Sequence, residues 1–219
     1  MLTSATLESI PNRMISPVRQ TPLTRSRWIW FSFAGWFVGL VITLVGADPA
    51  SKLDIEIFWI GTSMAVGLGL MQWLALRKQP HVTVNWLGFS VVGIGSAYLF
   101  FNALYLFLHA LHVFDNLKGD SMIFIVPIAS PLGGWLAGWL QQRYILAQIS
   151  PTSKRWMGRS SLGWLITSGS VVLYLIVAGV FGFHQTAIGK AANTIMVLSG
   201  GPIMGWITGS TLVSILREK

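Results

Sequence analysis

Few residues in this chain could do chemistry, and most of them sit where apolar segments end. His109, His112 and Asp115 stand at i, i+3 and i+6. If the helix they follow extends that far, the three share one face. Two imidazoles and a carboxylate on one face form a candidate metal site, to which His184 or Asp120 would add a ligand. Against this stands the plainer reading of a wet, polar helix end, which weighs more because half of a tetrahedral ligand set would have to come from loops. His81 falls in a loop and reads as solvated.

The rest of the catalytic repertoire is missing. The chain has no cysteine, so disulfides, thiolate nucleophiles and cysteine metal sites are excluded. No HExxH occurs. No Asp, Glu, Lys or Arg interrupts the apolar segments, so the paired carboxylates of acid–base or metal-assisted hydrolysis have no place in them. The same absence argues against proton-coupled transporters, pumps and voltage sensors, which carry ionisable groups at membrane depth. A rhomboid-type protease would need Gly-x-Ser-Gly and a histidine on another helix. The nearest run, Gly93-Ile94-Gly95-Ser96, has the wrong order, and no later segment has a histidine at mid-depth. Mitochondrial carriers mark their odd helices with Pro-x-acid-x-x-basic, and no odd segment here has a proline or a charge. The chain reads as a non-enzyme without a cofactor.

The segments that must position these residues are membrane-like. The 219 residues are 53% hydrophobic and 10% charged, whereas a soluble domain is about 25% charged. Six uncharged stretches are long enough to cross a bilayer, at 28–46, 57–76, 86–108, 122–140, 162–183 and 194–216. A soluble bundle of six core helices would need a polar shell that the chain lacks. The expected fold is therefore an all-α, integral membrane six-helix bundle at 28–219, behind a flexible basic tail at 1–27. That tail has no apolar core before a cleavage site, so it does not read as a secretory signal. Of 15 basic residues, 12 lie on one side: Arg13, Arg19, Arg25, Arg27, Arg77, Lys78, Arg143, Lys154, Arg155, Arg159, Arg217 and Lys219. Lys52, Lys118 and Lys190 lie opposite, with five of the seven acids. The positive-inside rule puts both termini in the cytoplasm. The net charge of +8 is then topogenic and suits anionic lipid headgroups. Nucleic acid is the weaker reading, since no basic stretch is interleaved with stacking aromatics.

Small residues repeat along the chain. Gly61, Ala65 and Gly69 correspond to Ser130, Gly134 and Gly138, and again to Gly201, Gly205 and Gly209. Each set puts small side chains on one helix face. The run PLGGWLAG at 131–138 realigns with PIMGWITG at 202–209. A unit of about 70 residues used three times follows, as parallel hairpins at roughly 28–79, 80–148 and 155–217 around a pseudo-threefold axis. The small faces predict close helix packing, with a solute path along the axis as the rival. Gln72 and Gln141 hold equivalent inner-end positions, bonding their own helix or a neighbouring hairpin. Leu212 in the third unit breaks a shared polar ring. Asn102, in mid-helix, must find a partner and reads as structural glue. Trp28, Trp30, Trp73, Trp86, Trp139, Trp156 and Trp164 fall near inner ends and read as an interfacial belt, with Trp59 near the outer end. Trp135 and Trp206 lie deeper and are expected to fill gaps beside glycine, the alternative being a stacking wall for a flat ligand.

The run at 67–77, Gly-Leu-Gly-Leu-Met-Gln-Trp-Leu-Ala-Leu-Arg, followed by Trp86, resembles a bacterial group. These are multi-pass membrane proteins, frequent in cyanobacteria, with repeated small-xxx-Gly-xx-Gln-Trp-xx-Leu-Arg hairpins. The likeness covers most of 28–217, is sharp in the first unit and decays in the third. It implies the topology, a bacterial origin and a bacterial inner (plasma) or thylakoid membrane, and carries over no catalytic or binding residue. The expected function is a non-enzymatic accessory or assembly subunit that packs against membrane lipids, other integral membrane proteins or copies of itself. The alternative is a channel or facilitator for a small neutral solute.

Overall fold

Long apolar runs satisfy their backbone polar groups internally only as helices when no water is at hand. The computed structural model describes residues 23–46, 53–79, 81–111, 122–182 and 186–218, with backbone alone at 53–57 and 122–124. The described part is all-helical. Its elements are α1 (Arg25–Gly46), α2 (Leu53–Leu76), α3 (Asn85–Ala110), α4 (Met122–Tyr144), α5 (Lys154–Val180) and α6 (Ala187–Arg217). Five of the six are long and apolar enough to cross a membrane, which is compatible with a membrane protein. The remaining helix, α4, carries Pro127 and Pro131. The basic tail at 1–22 lies outside the described residues.

Two helices begin earlier than their apolar runs. α5 starts at Lys154 and α6 at Ala187, because lysine and arginine are good helix formers and do not stop a helix where hydrophobicity stops. The connector expected at 141–161 is therefore short. It is two 3-10 turns, Leu146–Gln148 and Pro151–Ser153. Ser150 opens the second by accepting from the Thr152 backbone N–H at 3.1 Å. Thr186 caps α6 in the same way, accepting from Gly189 N–H at 3.0 Å.

Each helix packs against its neighbours in the chain, and α6 returns to α1, so the six close into a ring. Glycine sets how closely the helices approach. A Cβ on Gly67 would lie 2.3 Å from the Gly39 backbone nitrogen and 2.4 Å from the Gly35 carbonyl oxygen. On Gly93 it would lie 2.3 Å from the nitrogen of Ala137. These seams join α1 to α2 and α3 to α4. The repeated small residues other than Ser130 lie at the other seams. Gly61 and Gly69 abut Tyr98 and Ser90 of α3, and Ala65 is fully buried between them. The Ser130 and Tyr98 hydroxyls bond at 2.7 Å, also toward α3. Gly134 and Gly138 abut Trp164 and Ser160 of α5. Gly201, Gly205 and Gly209 abut Phe33, Ile29 and Trp28 of α1.

At the basic end the Glu218 carboxylate ties the end of α6 to the turn before α5. It accepts from Ser150 and, at 2.6 Å, from Thr152. The hydrogen bond from Ser150 is the main cause holding this carboxyl below its usual range, aided by Thr152, opposed by desolvation and aided least by Arg155. A depressed carboxyl stabilises the fold above its unfolded pKa and loses that effect as pH falls through the folded one. Glu218→Gln should therefore lower Tm slightly at neutral pH, and the difference from wild type should vanish in acid. Thermal unfolding in detergent across pH reads this.

Gly67→Leu should abolish the folded species, since no side-chain movement relieves a clash with backbone. Gly169 has open space where a Cβ would go, so Gly169→Ala should be neutral or stabilise by about 0.5–1 kcal/mol. Monodisperse elution in mild detergent, together with Tm, checks both.

Candidate functional site along the ring axis

The odd helices share a pattern that explains their inner ends. Trp28, Ser32 and Gly35 in α1 match Trp86, Ser90 and Gly93 in α3, and Trp156, Ser160 and Gly163 in α5. The spacing Trp-x-x-x-Ser-x-x-Gly places all three side chains on one face of the helix. The three glycines let the partner helices close in, and the three tryptophans meet on the axis. Ring centroids are 6.3 Å apart for Trp28–Trp86, 6.1 Å for Trp28–Trp156 and 5.4 Å for Trp86–Trp156. Trp28 and Trp86 are 0% exposed and Trp156 is 2% exposed. Such aromatic pairs contribute about 0.5–1.5 kcal/mol each beyond burial.

A buried indole N–H needs an acceptor, and the even helices supply all three. Trp86 donates to Gln72 Oε1 at 3.4 Å and Trp156 to Gln141 Oε1 at 2.8 Å. The amide nitrogens then reach back to serines of the preceding odd helix, Gln72 to Ser32 at 3.5 Å and Gln141 to Ser90 at 2.9 Å. Gln141 also donates to the Trp86 carbonyl at 3.4 Å. In α6, where Leu212 replaces glutamine, Trp28 donates one turn earlier, to Thr208 Oγ1 at 2.9 Å. The Thr208 hydroxyl itself donates to the Met204 carbonyl at 2.7 Å. The polar belt is thus not broken by Leu212. A hydroxyl on the same face takes over, and Leu212 packs in the core beneath the tryptophans.

Above the triad the axis holds a void of about 20 Å³, bordered by Gln72, Ser90, Gln141, Ser160 and Thr208. That is room for a single water in a polar setting. Next comes an apolar floor, where Trp36 and Trp164 sit 5.9 Å apart with Ile94 and Met204 in the same core cluster. Beyond the floor, toward the far end, a cavity of about 480 Å³ opens. Trp36, Met64, Tyr98, Ser130, Thr167 and Val197 bring one wall residue from each helix. Its polar wall groups are engaged internally. Tyr98 pairs with Ser130, Trp36 donates to the Val197 carbonyl at 2.7 Å, and Ser168 donates to the Trp164 carbonyl at 2.7 Å. The cavity therefore offers mainly apolar surface.

Several expectations need correction. Trp28, Trp86, Trp156 and Trp164 are not an interfacial belt, because they are buried. Inner-end tryptophan is also what an axial plug requires, and depth along the helix does not distinguish the two. Trp30, 66% exposed, does lie outside. Trp135 and Trp206 fill no gap beside glycine. They are 44% and 61% exposed, on the outer surface of the ring. The rings that meet the small residues come from other helices, as Trp164 does on Gly134 and Tyr98 on Gly61. Asn102 is buried, but its Oδ1 has no hydrogen-bond partner among the described residues. Of the candidate metal ligands only His109 is described. It is exposed and stacks on Tyr105 at 6.0 Å. His112 and Asp115 lie outside the described residues, among which no group of potential ligands comes together. Neither family models, nor curated proteins, nor solved structures match the chain.

Trp156→Ala should cost about 3–5 kcal/mol, because it opens the plug and leaves Gln141 Oε1 unpaired. Trp30→Ala should stay within about 0.5 kcal/mol. Thermal unfolding of the two variants in one detergent compares them.

Proposed function

We propose that this chain is a non-enzymatic integral membrane protein, built as three parallel hairpins, that acts by packing against lipids and other membrane proteins as an accessory or assembly subunit. The observation that carries this reading is the closed axis. A passage through the ring would have to displace three mutually packed and hydrogen-bonded tryptophans. The outer surface supports it too. Exposed apolar side chains such as Phe100, Trp135, Leu173 and Trp206 suit lipid or a partner helix and serve no purpose in water. We place both termini in the cytoplasm, by the distribution of basic residues. We place the protein in a bacterial inner membrane, or in the thylakoid membrane of a cyanobacterium.

The facilitator reading draws on one observation, the cavity walled by all six helices. Its apolar lining and the plug beneath it count against a polar solute.

Co-purification of a tagged full-length chain from its native membrane in mild detergent tests the proposal. A stoichiometric membrane-protein partner is the expected result. A partner-free chain that passes water, glycerol, urea or ammonia in proteoliposomes would refute it in favour of the facilitator.

A further inference from the structure

At the basic end, a groove of about 550 Å³ lies between the first turns of α5 and the last turns of α6. Arg155 and Arg159, one turn apart on α5, form one wall, and the hydroxyls of Ser210, Thr211 and Ser214 on α6 form the other. Gly158, between the two arginines, lines the groove and borders open space, where a Cβ would meet nothing within 4 Å. Glu218 partly offsets Arg155 and occupies Thr152 at one end. Arg159 makes no hydrogen bond or ion pair among the described residues. Lys154 and Arg217 add positive charge at the adjoining helix ends.

We propose that this groove binds the phosphate headgroup of an anionic membrane lipid. Guanidinium forks match phosphate oxygens, and hydroxyls complete the shell. The face of α5 that carries Arg155 and Arg159 continues through Leu162 and Ile166 to Leu173, all exposed and apolar. A ligand with phosphate at one end and hydrocarbon at the other fits that sequence of surfaces, whereas a free phosphate uses only its top. The positions matching Arg155 and Arg159, set by the triad tryptophans, hold Arg27 and Phe31 in α1 and Asn85 and Phe89 in α3. The paired arginines occur once, so the site holds one lipid per chain. The proposal rests on the membrane location proposed above.

The test uses full-length protein reconstituted in vesicles of phosphatidylglycerol or of phosphatidylcholine with the same acyl chains, then extracted for native mass spectrometry. Wild type should retain one phosphatidylglycerol under conditions that strip phosphatidylcholine. Arg155→Gln with Arg159→Gln should lower that retention roughly tenfold or more. Gly158→Phe fills the groove without a backbone clash, so it should elute as a folded species and also lose the lipid, while Gly158→Ala should keep it. Millimolar inorganic phosphate should not displace the lipid. Equal retention of the two lipids, or retention unchanged in the double variant, would overturn the proposal. Displacement by inorganic phosphate would assign the groove to the free ion and overturn it as well. A chain absent from the membrane fraction would overturn the membrane reading itself.

Discussion

The ring depends on three indoles that must each bury a large apolar ring and satisfy one N–H at the same point. Burial alone would be met by phenylalanine. The N–H adds direction, because its acceptor has to lie on the even helix beside it. Gln72, Gln141 and Thr208 are those acceptors, and each belongs to a different even helix. The plug therefore ties odd helices to even ones at three seams, among them the seam between α6 and α1 that no connecting loop enforces.

Close backbone approach is the second constraint, and it is what brings the indoles together. Gly35, Gly93 and Gly163 lie two turns from the tryptophans on the same helices. They meet Gly67, Ala137 and Met204 of the even helices. The repeated small residues of the even helices, Ser130 apart, meet the next odd helix. Two kinds of seam thus alternate, and both rely on the absence of a Cβ. In a lipid setting, where apolar surface gains little by leaving lipid, such packing and the few buried hydrogen bonds are what distinguish the native arrangement from a loose set of helices.

Much of this was legible in the residues. Uncharged runs gave the helices, and the spacing of Gly61, Gly134 and Gly205 with their neighbours marked faces that meet other helices. Depth along a helix is a poor guide to where a tryptophan lies. A ring near a helix end can lie in the headgroup layer or on the axis, and only its register with Ser32, Ser90 and Ser160 tells which. That register recurs in all three odd helices and was available as a signal. Thr208 escaped because a threonine one turn before Leu212 does the work of a glutamine, a substitution that alignment position conceals. Hydropathy locates an apolar run and not the end of a helix, so it conceals the starts of α5 and α6, which are set by the turn that Ser150 opens before α5 and by the Thr186 cap of α6.

The ring closes where the last helix returns to the first and completes the plug. The chain has no cysteine, so an engineered pair reports this seam without background. A Cβ on Gly209 would have only side-chain atoms as its nearest neighbours, Trp28 Cδ1 at 3.0 Å and Arg25 Cγ at 3.3 Å, which places the Arg25 position close to disulfide range. Mild oxidation of the Arg25→Cys, Gly209→Cys variant in native membranes should give an intramolecular cross-link, seen as a mobility shift reversed by reductant. The Arg25→Cys, Gly138→Cys variant should give none, because Gly138 faces Ser160. Failure of the first pair to link, or equal linking of the second, would contradict the closed ring.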